Sequence, residues 1–265
     1  MYDFSYHKPS SLAEAAKALG SAEDGKLMAG GMTLIPTLKQ RLARPSDVID
    51  LGGIVELKGI RRAGNALVIG AMARHAEVAH SDVVRSAIPA LAELAEGIGD
   101  PQVRNRGTIG GSIANADPAA DYPAAVVGLG ATVETNKRKI AADDFFKGLF
   151  ETALEDGEIV TAVSFPIPEK AAYMKFPNPA SRYAIVGAFV AKTGGGVRVA
   201  VTGAGPSVFR VAAMEQALAK SFTPDAIKDI KVAADGLNAD IHASAEYRAH
   251  LVTVMARRAV AAAAG

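Results

Sequence analysis

Asn105-Arg106-Gly107-Thr108-Ile109-Gly110-Gly111-Ser112 sets a glycine pair between two hydroxyl residues, with Arg104 just ahead of it. A second glycine pair occurs earlier, in Ala29-Gly30-Gly31-Met32-Thr33, with a hydroxyl on one side only. Consecutive glycines admit positive φ and let the backbone come close to a ligand. Where such a pair opens a helix, free amides and the positive helix end suit a phosphate. The first segment follows a predicted strand, Lys26 to Ala29, and precedes a predicted helix from Thr33 to Gln40. It reads equally as an ordinary strand-to-helix turn. The second lies in a polar, Gly-broken stretch, 103–113, read as a loop. Beyond it, Asp117 and Asp121 are four apart and would accept hydrogen bonds from sugar hydroxyls if they shared a helix face. Asp117 fits better as the cap of a helix beginning at Pro118; for Asp121 the two readings stay open.

Working outward, Leu12, Ala15, Ala16 and Leu19 fall on one face of a helix that starts near Ser10-Ser11 and ends at Gly20. Short strands are predicted at 48–51 and 66–70, and a helix from Ser86 to Gly97. Ala124 to Val133 reads as a helix or as a buried strand, and Asp143 to Phe146 as a turn into a short helix. Glu158 to Pro166 is a strand by its branched and aromatic content. Pro166, Pro168, Pro177 and Pro179 cluster at a candidate domain boundary. Past it, 183–192 and 197–203 read as an antiparallel pair joined by Thr193-Gly194-Gly195-Gly196. Helices are expected at 210–220, 224–234 and 246–264.

The chain has 265 residues, which at about 150 per domain suggests two. Lys and Arg total 29 and Asp and Glu 28, a net charge of +1 without a basic stripe, so nucleic acid is not the expected partner. There is no cysteine, which excludes disulfides, a thiol nucleophile and an iron–sulfur cluster held by this chain's own thiolates. The five histidines are scattered and form no metal motif, so no metal site is expected. No G-x-S-x-G elbow anchors a hydrolase triad. No apolar run approaches the roughly 20 residues of a membrane helix and no secretory signal opens the chain, so the expected location is the cytoplasm. Gly128-Leu129-Gly130 and Gly203-Ala204-Gly205 each open like a dinucleotide fingerprint, but Val133 and Val208 stand where the third glycine belongs.

Ala29-Gly30-Gly31-Met32-Thr33-Leu34-Ile35-Pro36, with Lys39, Arg41 and then Val48-Ile49-Asp50-Leu51, resembles the first flavin signature of the FAD-binding medium subunits of molybdenum hydroxylases, the family of carbon monoxide and xanthine dehydrogenases. Arg104 to Ser112, followed by Asp117-Pro118-Ala119-Ala120-Asp121, resembles the second. Ser181-Arg182-Tyr183-Ala184-Ile185-Val186-Gly187 and the chain length agree, so the resemblance covers essentially the whole chain.

The resemblance implies an α+β fold. A two-subdomain FAD-binding domain of the vanillyl-alcohol-oxidase/p-cresol-methylhydroxylase type would span 1–170, divided near 57, and a small α+β domain 171–265. It implies that Ala29, Gly30, Gly31, Met32, Thr33 and Leu34, with Thr108, Ile109, Gly110, Gly111 and Ser112, hold FAD, the pyrophosphate lying on backbone amides. Asp121 would lie near the flavin or ribityl chain. Lys175 would lie by the ring as a stabiliser of negative charge, with Ile98 and Val160 lining it and Tyr183 close by. No catalytic residue is implied, since the redox chemistry belongs to the cofactor. Partners would be a molybdenum-cofactor large subunit and a [2Fe–2S] small subunit, in a dimer of heterotrimers, with a quinone or NAD as electron acceptor. Met32-Thr33 departs from the family's Gln or His followed by Ser, and Ser112 from its Asn; without Cys, the inserted iron–sulfur loop of some relatives is excluded. Two other readings compete: a stand-alone NAD(P)-dependent reductase using Gly203-Ala204-Gly205, and a non-catalytic assembly subunit whose glycine loops are structural.

Overall fold

The structure, a computed structural model, describes residues 1–264. The first unit alternates strand and helix: β1 (Ser5–His7), α1 (Leu12–Ser21), β2 (Gly25–Met28), α2 (Leu34–Lys39) and β3 (Asp47–Asp50). Its three strands are parallel in the order β1-β3-β2. Ser11, not Ser10, caps α1, its side chain accepting from the Glu14 amide. Ala15, Ile49, Leu51, Ile54 and Leu57 make a small core shared with Ile159.

The second unit runs β4 (Ile60–Ala63), β5 (Ala66–Gly70), α3 (His75–His80), α4 (Asp82–Ala87), α5 (Pro89–Glu96), α6 (Pro101–Arg104), α7 (Ile109–Asn115), α8 (Tyr122–Gly128), β6 (Thr132–Thr135), β7 (Lys139–Ala141), α9 (Ala142–Phe145), β8 (Phe146–Gly148), β9 (Glu151–Thr152) and β10 (Val160–Pro166). Its main sheet is antiparallel, ordered β4-β5-β10-β6-β7. The expected helix 86–97 is two helices, because Pro89 removes a donor and drives Ile88 out of the helical region, to φ −143°. The ambiguous 124–133 resolves as α8 followed by β6, with Gly130 at φ +63° making the reversal.

The third unit is a four-stranded antiparallel sheet, β11 (Lys170–Pro177), β12 (Ala184–Thr193), β13 (Gly196–Thr202) and β14 (Phe209–Arg210), covered by α10 (Ala212–Lys220) and α11 (Ala245–Ala264). The strand β11 lies inside the proline cluster, where no strand was expected. Ala184 to Ala191 are all buried, because α8 packs on one face of the sheet and α10 and α11 on the other. Phe189, Ala191 and Ala200 thus join the core of the second unit. The helix expected at 224–234 is only a 3-10 turn, Pro224–Ile227. The Ile230 carbonyl instead accepts the Thr253 hydroxyl of α11 at 2.8 Å.

Candidate functional site

The connection from β2 to α2 turns on Gly31, whose φ is +75°. Among the described residues, the amides of Gly30, Gly31, Met32, Thr33 and Leu34 form no hydrogen bond. A run of unpaired N–H groups around a left-handed turn is a concave anion receptor. The first glycine segment therefore offers the amides expected of it.

The second segment differs from its expectation. It is not a loop: Thr108 caps α7, which runs through the glycine pair. The Ile109 amide donates to Ala73 O at 3.1 Å and that of Gly110 to Ala71 O at 2.9 Å. The Gly111 amide is held by Thr108 Oγ1 at 3.1 Å, and that of Ser112 by Thr108 O at 3.0 Å. These amides are spent on anchoring the helix. The segment presents instead the Thr108 amide and the Ser112 hydroxyl, neither of which has a partner among the described residues. Glycine at 110 serves packing: a Cβ there would sit 2.5 Å from Ala71 Cβ and 2.7 Å from its carbonyl oxygen.

The two segments touch. A Cβ on Gly30 would lie 2.1 Å from the Arg106 carbonyl oxygen and 2.8 Å from Gly107 Cα, and one on Gly111 would lie 3.3 Å from Ala29 Cβ. Only glycine lets the backbones meet so closely. Around the junction opens a cavity of about 790 Å³. Both segments line it, with Ile98, Val160, Asp121 and Tyr183 on its other walls. Two expected residues do not line it. Ile109 is fully buried, its side chain in the core. Lys175, on β11, stands behind the wall: its Nζ donates to Gly97 O at 2.8 Å and lies 3.0 Å from Asp121 Oδ1.

Asp121 is thus the polar centre of that wall. It is 5% exposed and also accepts from the Tyr173 hydroxyl at 2.5 Å. Burial pushes its carboxyl above the usual range, against the opposing pull of Lys175 and Tyr173. Asp117 caps a turn, not a helix, accepting from the Ala119 amide at 2.9 Å; α8 starts later, at Tyr122. The two carboxylates therefore share no helix face, yet both line the cavity. The Tyr183 hydroxyl is pushed up by burial and by those two carboxylates.

Among the lining residues that sequence reading missed are His75, Asn115 and Glu158. His75 is 5% exposed, and its Nδ1 has no partner among the described residues. Burial, and secondarily Arg104, lowers its pKa to about 4. Between Arg74 and Ala76, it carries no local signal of that role. Asn115 reaches the cavity because Ala116, at φ +49°, ends α7 there. Glu158 also lines it, held at a pKa of about 2, chiefly by hydrogen bonding to Arg138. By contrast, none of Gly203, Ala204 and Gly205 lines the cavity, and Gly203 follows an antiparallel strand. The nicotinamide reading loses its motif.

The family model described as "FAD binding domain in molybdopterin dehydrogenase" matches residues 2–168, and "CO dehydrogenase flavoprotein C-terminal domain" matches 171–263. The chain belongs to this flavoprotein family. It is 36% identical to the carbon monoxide dehydrogenase medium chain of Hydrogenophaga pseudoflava, over 98% of this chain and 96% of that one. It is also 36% identical to the glyceraldehyde dehydrogenase medium chain of Sulfolobus acidocaldarius, with 97% of both chains covered. In three dimensions this flavoprotein chain matches the solved carbon monoxide dehydrogenase from Hydrogenophaga pseudoflava with a TM-score of 0.90 at 38% identity, covering 98% of this chain and 96% of that one.

Proposed function

We propose that this chain is the FAD-carrying, electron-transferring medium subunit of a molybdenum-containing hydroxylase or dehydrogenase complex. The observation that carries the proposal is the row of unpaired amides at Gly30–Leu34, held by a glycine contact against α7 over one cavity. The cavity's size falls within the range of about 300–1,000 Å³ typical of ligand sites. Bound there, FAD supplies reversible one- and two-electron redox chemistry, and the chain's part is to bind and orient it.

The amides of 30–34 and of Thr108, with the hydroxyls of Thr33 and Ser112, would hold the diphosphate. Ile98 and Val160 would supply apolar walls and exclude water. Asp121, with Lys175 and Tyr173 behind it, would hold a fixed charge at the polar wall, and Tyr183 would flank the flavin. Residues 1–170 would form the FAD-binding domain, divided near 57, and 171–265 the C-terminal domain.

Both relatives are medium chains of dehydrogenases named for different compounds, which supports partners that carry the substrate chemistry. A molybdenum-cofactor large subunit and a [2Fe–2S] small subunit would deliver electrons to this chain, in a dimer of heterotrimers. A quinone or NAD would take them away, in the cytoplasm. Among the described residues no helix is long and apolar enough to cross a membrane. The test is to purify the chain with whatever accompanies it and record its visible spectrum. Flavin absorbance and two co-purifying subunits, one carrying molybdenum, are expected. A colourless protein that takes up no added FAD overturns the reading.

A further inference from the structure

Within its own domain the turn that carries Asp117 and Asp121 makes only local bonds, the Ala120 amide donating to Asp117 O at 3.0 Å and the Ala124 amide to Asp121 O at 3.1 Å. It hangs from the C-terminal sheet. The Thr202 hydroxyl, at the end of β13, lies 2.6 Å from Ala120 O and 2.9 Å from Pro118 O. The Gly203 amide donates to Pro118 O at 2.7 Å, and the Ala184 amide to Ala119 O at 3.2 Å. Three consecutive carbonyls of the 117–121 turn are thus met by β12 and β13. Ala120 O has no other donor among the described residues, so the single Thr202 proton belongs there, and the Gly203 amide serves Pro118.

This clasp is built with care for its geometry. Gly203 sits at φ +82°, and a Cβ on it would lie 2.5 Å from Ala184 O. Arg248 of α11, 4% exposed, donates to Ile185 O at 2.6 Å and to Gly203 O at 3.0 Å, cross-linking the ends of β12 and β13. Tyr183, the residue before the clasp's Ala184, lines the same cavity as the turn. One set of bonds therefore sets the spacing of two parts of the cavity lining, the acidic turn and Tyr183.

We propose that Thr202 is a positioning residue through which the C-terminal domain fixes the geometry of the bound flavin. This rests on the flavin reading above. Thr202 is 0% exposed and does not line the cavity, so it acts only through the turn. A Thr202 that merely fills space would be served as well by valine, which has nearly the same shape. A Thr202 that holds Ala120 O would be served by serine and not by valine.

The experiment uses the purified full chain with any subunits that accompany it. It follows FAD release after dilution, together with the visible circular dichroism of the bound flavin. T202V is expected to release FAD at least tenfold faster and to change the dichroism, while T202S stays within twofold of the unaltered protein. V260A, a cavity in the C-terminal core three turns beyond Arg248 along α11, is expected to lower Tm without changing release or dichroism. If T202V does not fold, T202A takes its place against T202S. Unchanged release and dichroism in T202V or T202A overturn the proposal, as does equally fast release from V260A. Absence of FAD from the unaltered protein overturns the flavin reading itself, and this proposal with it.

Discussion

Gly30 and Gly31 are neighbours with different tasks. At Gly31 an added methyl meets only the tip of Ile35, 2.6 Å away, but the residue must stay at φ +75°. Placing a side chain in that region costs about 1–2 kcal/mol. Gly31→Ala is expected to keep the fold and weaken FAD binding about tenfold, read as flavin-to-protein ratio against Tm. At Gly30 the methyl meets the Arg106 carbonyl oxygen itself, at 2.1 Å. Gly30→Ala must push the two segments apart, so loss of flavin together with a fall in Tm is expected. His75 gives a pH signature. Its folded pKa, about 4, lies below the ordinary 6.5, so the unfolded chain binds a proton that the folded chain refuses. Its contribution to stability is complete above pH 6.5 and is lost as pH falls toward 4, by up to about 3 kcal/mol. The difference in Tm between the unaltered protein and His75→Gln should therefore change across that window and be level above it; a difference flat from pH 7 to 4 would show that His75 does not titrate as described.

Among the elements, α7 shows how a helix start that looks like a ligand site is committed to packing. Gly110 and Gly111 each cost a helix about 1 kcal/mol relative to alanine. Gly110 is retained because α7 lies directly on the Ala71 backbone. Gly110→Val should therefore unfold the second unit rather than release cofactor cleanly, whereas Ser112→Ala removes only a cavity hydroxyl. For Ser112→Ala we expect an unchanged Tm and FAD binding weakened by a few-fold. At the other end, the hairpin of β6 and β7 is tied to β10 by Glu158. Its side chain is fully buried and accepts from Arg138 at 3.0 and 3.1 Å, Thr135 Oγ1 at 2.7 Å and the Glu155 amide at 2.8 Å. Removing one partner leaves a buried charge short of donors, so Arg138→Met is expected to cost about 3 kcal/mol in denaturant unfolding.

At the level of the molecule, the domains share a core. Phe189, Ala191 and Ala200 of the C-terminal sheet belong to the core of the preceding unit, with α8 packed on β12 and β13 and α5 on β11. Arg198 reinforces the seam, donating through Nε to Val127 O at 2.7 Å and pairing with Asp143. Arg198→Ala should strip the α8 end of that bond and lower Tm by the equivalent of about 1–3 kcal/mol. Because the core is continuous, the two domains should still melt in one transition by calorimetry, and a separate C-terminal transition in the unaltered protein would contradict the shared core.

The sequence by itself determined the local signals. The paired glycines, the helix start at Ser10-Ser11, the Thr193–Gly196 hairpin turn and the branched and aromatic content of β10 depend on neighbours a few residues away, so the local sequence exposes them. Both glycine segments, and through their resemblance the family, were legible for that reason. Tertiary structure alone decided which amides stay free, since the carbonyls of Ala71 and Ala73 that consume those of α7 come from a distant connection. It decided that Lys175 stands behind Asp121, that His75 is buried without a partner, and that Gly203 serves a clasp rather than a dinucleotide. It also erased the helix expected at 224–234 by giving the Ile230 carbonyl to Thr253. In each case the outcome turns on a partner brought in from far along the chain, and no periodicity or local motif encodes which partner arrives.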